Sequence, residues 1–242
     1  MDTPEYKLLA QRTAVAPPME AKNLPLISES SASPEVAALY AQFRVRFGAP
    51  QVPGILQCFA THPPLLEYMM AMSESLLFSD GALTRRQKEM IATFVSASNH
   101  CEYCSDSHGF FFLVHGGSIE ELAALLVCTL DAGTLTNAER GLLDFVAEVN
   151  RGGEAVNPAT VEGLRNHGWT DLQIAEAIHL TALFATFNRV VNAFGLPSRQ
   201  LLADTNLLSG QTSSNSKTGP LLVGNPSGRP SNIRSPDSGD VK

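Results

Sequence analysis

The strongest constraint on the fold of this chain is a repeated pattern of helix starts. Four times a Ser or Thr stands three residues before a Glu or Gln, just ahead of apolar residues at helical spacing. In such a capping box the two side chains satisfy free backbone amides at the beginning of a helix. The four pairs are Thr84 with Gln87, Ser118 with Glu121, Thr136 with Glu139, and Thr170 with Gln173. Because no alternating pattern between hairpin turns favours strands, the sequence predicts an all-α fold.

Apolar spacing adds two helices to these four and sets the length of the last one. The segment Pro34–Phe47 begins with a proline, which helices favour in their first turn, and carries its apolar residues on one face. A second helix is expected over about Pro64–Phe78. The last helix is the longest and is expected over about Asp171–Phe194, ending at Gly195.

The same landmarks recur at a nearly constant distance along the chain, which indicates an internal repeat. We expect a duplicated helical unit whose two copies pack about a pseudo-two-fold axis. The alternative is a chance likeness between two capped helix pairs. The matched residues are Leu83 with Leu135, Thr84 with Thr136, His115 with His167 and Ser118 with Thr170, each 52 residues apart, and Asn99 with Asn150, 51 residues apart.

Composition divides the chain into three parts. Residues 1–33 are rich in Pro and Ser and are expected to form an irregular N-terminal arm. Residues 34–204 hold nearly all of the periodic apolar sequence and are expected to form one helical domain. Residues 205–242 are mostly Ser, Gly, Pro and Asn, without an aromatic residue. Because such a segment buries too little apolar surface to offset its ordering entropy, we predict a disordered C-terminal tail.

Charge and cysteine content exclude several classes of protein. The 242 residues include 17 Lys and Arg against 24 Asp and Glu, a net charge of −7 that argues against nucleic acid as a partner. We see no secretory signal and no apolar run of the roughly 18–20 residues that cross a bilayer, so we expect a cytoplasmic protein without a membrane partner. Four cysteines are too few for a disulfide scaffold.

Two of the cysteines form a C-x-x-C motif, which in a reducing compartment favours redox or metal chemistry. Cys101, Cys104 and His108 share one face if a helix begins at the first of them. A helix N-terminus and a nearby imidazolium both stabilise the reactive thiolate. Glu89 lies on the preceding helix and is a candidate proton relay. This set suits thiol–disulfide or peroxide chemistry.

The reactive set occurs in the first copy of the repeat alone. This pattern is typical of a chemical site placed on a shared scaffold, since residues that the fold itself required would be expected in both copies. At an offset of 52 residues, the places of Glu89, Cys101, Cys104 and His108 are taken by Gly141, Gly153, Val156 and Thr160.

Other interpretations of these residues stay open at this point. The cysteine pair is compatible with half of a zinc site completed by histidines, although no second C-x-x-C exists, or with two inert core thiols. Glu89 is compatible with a solvated face, paired with Arg85 one turn earlier. We expect Cys58, Cys128 and His179 to lie in the core, since their neighbours are apolar.

The glutamate, the cysteine pair and the histidine, at these spacings, resemble the motif of the AhpD-like alkylhydroperoxidases of the carboxymuconolactone decarboxylase superfamily. The stretch Asn188–Gly195 is also similar to the closing helix of peroxidase-related members. The resemblance covers most of the helical domain. It implies an AhpD-like all-α fold with a helix-pair repeat, assembled as a trimer or hexamer. It also implies peroxide reduction without a metal or an organic cofactor.

The resemblance also implies roles for individual residues. Cys104 corresponds to the peroxidatic cysteine, Cys101 to the resolving cysteine, and Glu89 and His108 to the proton relay. The implied partners are a small-molecule hydroperoxide and an external dithiol reductant. The best-known members have a histidine before the second cysteine, whereas this chain has Tyr103, a poor proton shuttle at neutral pH. Two other functions stay open: lactone decarboxylation or hydrolysis, and a redox-responsive interaction module.

Overall fold

The computed structural model describes residues 19–130 and 133–203, and every regular element within those ranges is helical. In this part of the chain nine α-helices follow one another, with a π-helical turn over Glu74–Phe78 directly after the third. The helices are α1 (Pro34–Phe47), α2 (Gly54–Phe59), α3 (Pro63–Ser73), α4 (Arg85–Ser98), α5 (Glu102–Val114), α6 (Ile119–Leu126), α7 (Asn137–Arg151), α8 (Pro158–Asn166) and α9 (Asp171–Phe194). The predicted all-α class is confirmed.

Most helix boundaries agree with the sequence prediction. All four capping boxes form, with both reciprocal hydrogen bonds present in each. Helices α1 and α9 have the predicted bounds. The helix expected over residues 64–78 is α3 continued by the π-helical turn. Helix α2 was not predicted, because six residues are too few for a helical period to show.

The internal repeat is present in the structure. Helices α4 and α7 begin at matched threonine caps, and helices α6 and α9 begin at matched Ser and Thr caps. Asn99 and Asn150, also matched in sequence, face each other: each side-chain amide donates to the oxygen of the other, at 3.0 Å in both directions. A reciprocal bond between matched residues is what a pseudo-two-fold axis between the copies produces.

Helix α4 is the central element of the domain. It packs against α5, α6, α7 and α9, and most of its residues are buried, including the charged Lys88 and Glu89. The Lys88 ammonium lies 2.7 Å from the Glu176 carboxylate of α9 and also donates to the Ser79 carbonyl at 2.9 Å. Because buried charges are tolerated when they are paired and hydrogen-bonded, this contact fixes α9 against α4.

The described part of the N-terminal arm lies against the helical domain. The backbone amide of Lys22 donates to the carbonyl of Gly195 at the end of α9, at 3.0 Å. Residues 1–18, and the tail predicted over residues 205–242, lie outside the described residues.

One described helix, α9, is long and apolar enough by length and composition to cross a membrane. No such helix was expected from the sequence, because isolated polar residues interrupt the apolar run within α9. Half of its most apolar window is buried within this fold. Core helices of globular proteins share that length and composition, so the feature is weak evidence for a membrane span.

Candidate active site

A tight turn between α4 and α5 places the first cysteine. The Cys101 amide donates to the Ser96 carbonyl at 2.9 Å and the His100 amide to the Ala97 carbonyl at 3.0 Å, the two bonds of a Schellman motif. His100 has a φ of 52°, in the left-handed region where glycine is favoured. The turn leaves Cys101 as the N-cap of α5.

Cys101 and Cys104 are free, buried thiols in the first turn of α5. The Cys104 thiol donates to the Cys101 sulfur, and the nearby Cys104 backbone amide and Asn188 side chain also favour its thiolate; together these outweigh burial and lower the pKa of Cys101. Burial and the adjacent Cys101 raise the pKa of Cys104 well above its usual value. When the pair ionises, Cys101 is therefore the preferred site of the charge and Cys104 is the thiol that donates to it.

A cavity of about 470 Å³ reaches the second cysteine. Cys104, Ser107 and His108 are part of its wall, and Cys101 is not. A ligand in the cavity therefore meets the Cys104 sulfur first. Much of the remaining wall is apolar, with six phenylalanines: Phe43, Phe47, Phe59, Phe78, Phe111 and Phe187.

The structure brings Glu89 and His108 together, as the spacing suggested. His108 Nδ1 lies 2.7 Å from Glu89 Oε2, and Arg85 Nε donates to Glu89 Oε1 at 2.8 Å. Burial of Glu89 acts to raise its pKa, but the charges and hydrogen bonds of His108 and Arg85 prevail and lower it. Since Nδ1 is engaged, Nε2 is the ring nitrogen of His108 that remains available to a ligand in the cavity.

Asn188 of α9 is a fully buried partner of the cysteine pair that motif spacing does not single out. Its side-chain amide acts to lower the pKa of both thiols, so it favours the thiolate at either position. The amide is held in place by Ser96 Oγ at 3.1 Å and by Asn99 Nδ2, which donates to Asn188 Oδ1 at 3.0 Å. The resemblance of the closing helix includes Asn188, but its contact with the sulfurs depends on how α9 packs.

Comparison with known proteins connects this geometry to a family. The model of the carboxymuconolactone decarboxylase family matches residues 63–142, which contain the whole set from Glu89 to His108. A peroxidase-related protein with an alkylhydroperoxidase AhpD core, from Ralstonia eutropha JMP134, is 27% identical with a TM-score of 0.65, over 76% of this chain and 94% of that chain. These matches support a place for the chain among the AhpD-like members of the carboxymuconolactone decarboxylase superfamily.

Two other solved structures share the fold. A peroxidase-related protein from Silicibacter sp. TM1040 is 28% identical, with a TM-score of 0.62 over 74% of this chain and 91% of that chain. The debrominase Bmp8 is 17% identical, with a TM-score of 0.57 over 73% of this chain and 91% of that chain, and at that identity the likeness shows the fold alone. No protein with a curated description matches the chain.

In this AhpD-like protein the residue directly before the second cysteine is Tyr103. Its side chain is buried, and the Ile55 backbone at the beginning of α2 acts to lower the pKa of its hydroxyl. Burial raises the pKa of Tyr103 above its usual value, so its hydroxyl stays protonated at neutral pH. His100 is exposed and is not part of the cavity wall. His108, with Glu89 bonded to its ring, is therefore the histidine of the motif that reaches the cavity wall.

The second copy of the AhpD-like repeat retains a cavity at the matching place without the same chemistry. This second cavity has a volume of about 330 Å³. Its wall contains Asp144, Glu148 and His167 but no cysteine. Gly141, Val156 and Thr160 line it, in the places that Glu89, Cys104 and His108 occupy in the first copy.

Predictions about the isolated cysteines and histidine have different outcomes. Cys58 is buried, as predicted, and burial raises its pKa to about 12. The core prediction for Cys128 is wrong, because this residue follows the end of α6 in an exposed turn with a φ of 53°. The core prediction for His179 is also wrong, because it projects from the exposed face of α9 between the buried Ala177 and Leu180.

A metal alternative finds no support in the described ranges. No group of three or more His, Cys, Asp and Glu side chains there is placed to hold a metal ion. The zinc half-site considered for the cysteine pair therefore has no assembled ligand set among these residues.

Proposed function

We propose that this AhpD-like protein is a thiol peroxidase that reduces organic hydroperoxides through Cys104 and Cys101, without a metal or an organic cofactor. The observation that carries the proposal is the position of Cys104. Its sulfur lines an apolar cavity, is hydrogen-bonded to a second thiol of lowered pKa, and lies one helical turn from the Glu89–His108 pair.

In the first step, the Cys104 sulfur attacks the peroxide. Cys101, as the charged member of the pair, accepts the Cys104 proton through the hydrogen bond that already joins them. An S–O bond forms at Cys104, the O–O bond breaks, and the leaving alkoxide takes a proton from the His108 imidazolium that Glu89 holds. The products are an alcohol and a sulfenic acid at Cys104.

In the second step, the Cys101 thiol condenses with the sulfenic acid. An S–S bond forms, and the sulfenic oxygen leaves as water with the proton of Cys101. The spacing of three residues on α5 keeps the two sulfurs on one face, so the disulfide needs little movement of the backbone. An external dithiol then restores the pair by thiol–disulfide exchange and is itself oxidised to a disulfide.

Stopped-flow measurement of cumene hydroperoxide consumption by the reduced protein, with excess dithiothreitol as the external dithiol, tests this function. Cys104→Ser is expected to reduce consumption to the rate without protein, because it removes the attacking sulfur. Cys101→Ser is expected to consume peroxide more slowly, because it removes both the base for Cys104 and the thiol that forms the disulfide. The matched control is Cys128→Ser, an exposed thiol outside the cavity wall, which should retain turnover. Undiminished consumption by Cys104→Ser contradicts the proposal.

A further inference from the structure

The cavity wall contains one cation whose charge has no partner in the described part of the chain. Arg46 is paired with Glu74, its Nε lying 3.1 Å from Oε1. His108 is held by the buried carboxylate described above, and Glu67 is exposed to solvent on α3. Arg199 is half-buried in the wall and makes no hydrogen bond or ion pair with any described residue.

The segment that carries Arg199 is fixed to the reactive helix. Asp106 of α5 accepts hydrogen bonds from the backbone amides of Leu201 and Leu202, at 3.0 Å each. The charge of Arg199 also acts to lower the pKa of Tyr103 against the effect of burial, so the guanidinium lies close to the residue before the reactive sulfur. Helix α5 therefore positions both the thiols and the segment that carries Arg199.

A half-buried guanidinium without a partner is energetically unfavourable in an apolar wall. It has lost part of its hydration and has gained no compensating hydrogen bond. A carboxylate is the ligand group that fits it best, because the planar fork of arginine donates two parallel hydrogen bonds to the two carboxylate oxygens. Glu67 does not offset this preference, since an exposed carboxylate keeps its own hydration and lies on a different element.

We propose that the cavity takes hydroperoxides that have an apolar body and a carboxylate, with Arg199 as the residue that binds the carboxylate. The phenylalanines contact the apolar body, and the peroxide meets the Cys104 sulfur. The cavity volume of about 470 Å³ suits a ligand of this kind. The carboxylate makes and breaks no covalent bond. This inference rests on the proposed peroxidase function and names its substrate class.

Two peroxides of nearly equal apolar body test the inference: cumene hydroperoxide and its 4-carboxy derivative. The measured quantity is the ratio of kcat/KM for the acid to kcat/KM for the neutral peroxide. We expect the wild-type ratio to favour the acid, and Arg199→Met to lower the ratio by about tenfold or more, the usual effect of losing a charge-assisted hydrogen bond. Arg199→Lys should retain part of the preference, because it keeps the charge and loses the fork.

The matched control for this ratio is Arg151→Met, which removes an exposed arginine at the end of α7 that is not part of the cavity wall. It should leave the ratio at the wild-type value. Equal ratios in the wild type and Arg199→Met overturn the inference while leaving the peroxidase function in place.

A binding measurement separates this inference from the function on which it rests. Titration calorimetry of Cys104→Ser with 4-isopropylbenzoate, which carries no peroxide, should show binding that the added Arg199→Met substitution weakens by about tenfold or more. If this binding is found and no peroxide is consumed by the wild type, the carboxylate site stands and the peroxidase proposal fails. If the carboxylate binds equally with and without Arg199, the inference is overturned.

Discussion

At the scale of single residues, two physical cues point to different sulfurs of the pair. The N-cap position, the Cys104 thiol and Asn188 favour the charge on Cys101, whereas the cavity reaches Cys104. In the proposed mechanism the hydrogen bond between the two thiols reconciles the cues, because Cys101 then acts as the base for the sulfur that the peroxide meets. Arrangements of this kind keep the attacking thiol protonated until a peroxide arrives and limit its unwanted oxidation.

The buried carboxylate of Glu89 should make stability depend on acid pH. Its pKa in the folded protein lies below the usual value of 4.5. Its contribution to stability is therefore fully present above about pH 4.5 and is lost as the pH falls through the lowered pKa. Glu89→Gln should cost about 3 kcal/mol in urea unfolding at pH 7, because Arg85 and His108 lose a buried partner.

The free energy of unfolding measured below pH 4.5 gives the decisive comparison for Glu89. The free energy of unfolding of the wild type should fall more steeply below pH 4.5 than that of Glu89→Gln, whose amide does not titrate in that range. Parallel curves for the two proteins would show that the carboxylate does not carry the expected charge in the folded state.

At the scale of helices, the repeat shows how one scaffold carries a site in a single copy. The two copies share caps, helix starts and the facing asparagines, and both retain a cavity. They differ at the turn before the second helix of each pair. In the second copy Gly152 and Gly153 provide the left-handed residues of that turn, whereas the first copy has His100 with a φ of 52° followed by Cys101.

The turn between α4 and α5 should become more stable when glycine replaces His100. A non-glycine residue in the left-handed region costs about 1 kcal/mol, so His100→Gly should raise the free energy of unfolding by about that amount or somewhat less. His100→Ala is the matched control, because it removes the same side chain and keeps the conformational cost. Urea unfolding of the three proteins gives the comparison, and a lower stability of His100→Gly than of His100→Ala contradicts the account.

The peroxidase rate of these two variants adds a second readout. The His100 side chain is exposed and outside the cavity wall, so both variants should turn over peroxide at the wild-type rate. A loss of activity in both would mean that protons pass through His100 rather than His108.

At the scale of the whole molecule, the positions of helices could be predicted from short sequence patterns. The contacts that depend on how those helices pack could not. Capping boxes and the repeat are local or periodic, so the sequence located α4, α6, α7 and α9 correctly. The approach of Asn188 to the sulfurs and of Arg199 to the cavity depends on residues about ninety positions apart, and no local pattern announces such contacts. The prediction for Cys128 was wrong because apolar neighbours do not reveal where a helix ends, and α6 ends just before this residue.

Assembly and location stay predictions for this AhpD-like protein. The resemblance to the family implies a trimer or hexamer, and the sequence suggests the cytoplasm and no nucleic-acid partner.

The most direct test of the central claim is to locate the sulfenic acid that forms after one equivalent of cumene hydroperoxide. Dimedone traps this species, and peptide mass spectrometry identifies the residue that carries the adduct. In Cys101→Ser the account predicts a near-stoichiometric adduct on Cys104, and in Cys104→Ser it predicts none on Cys101. An adduct on Cys101 in Cys104→Ser, with none on Cys104 in Cys101→Ser, would contradict the assignment of Cys104 as the sulfur that meets the peroxide.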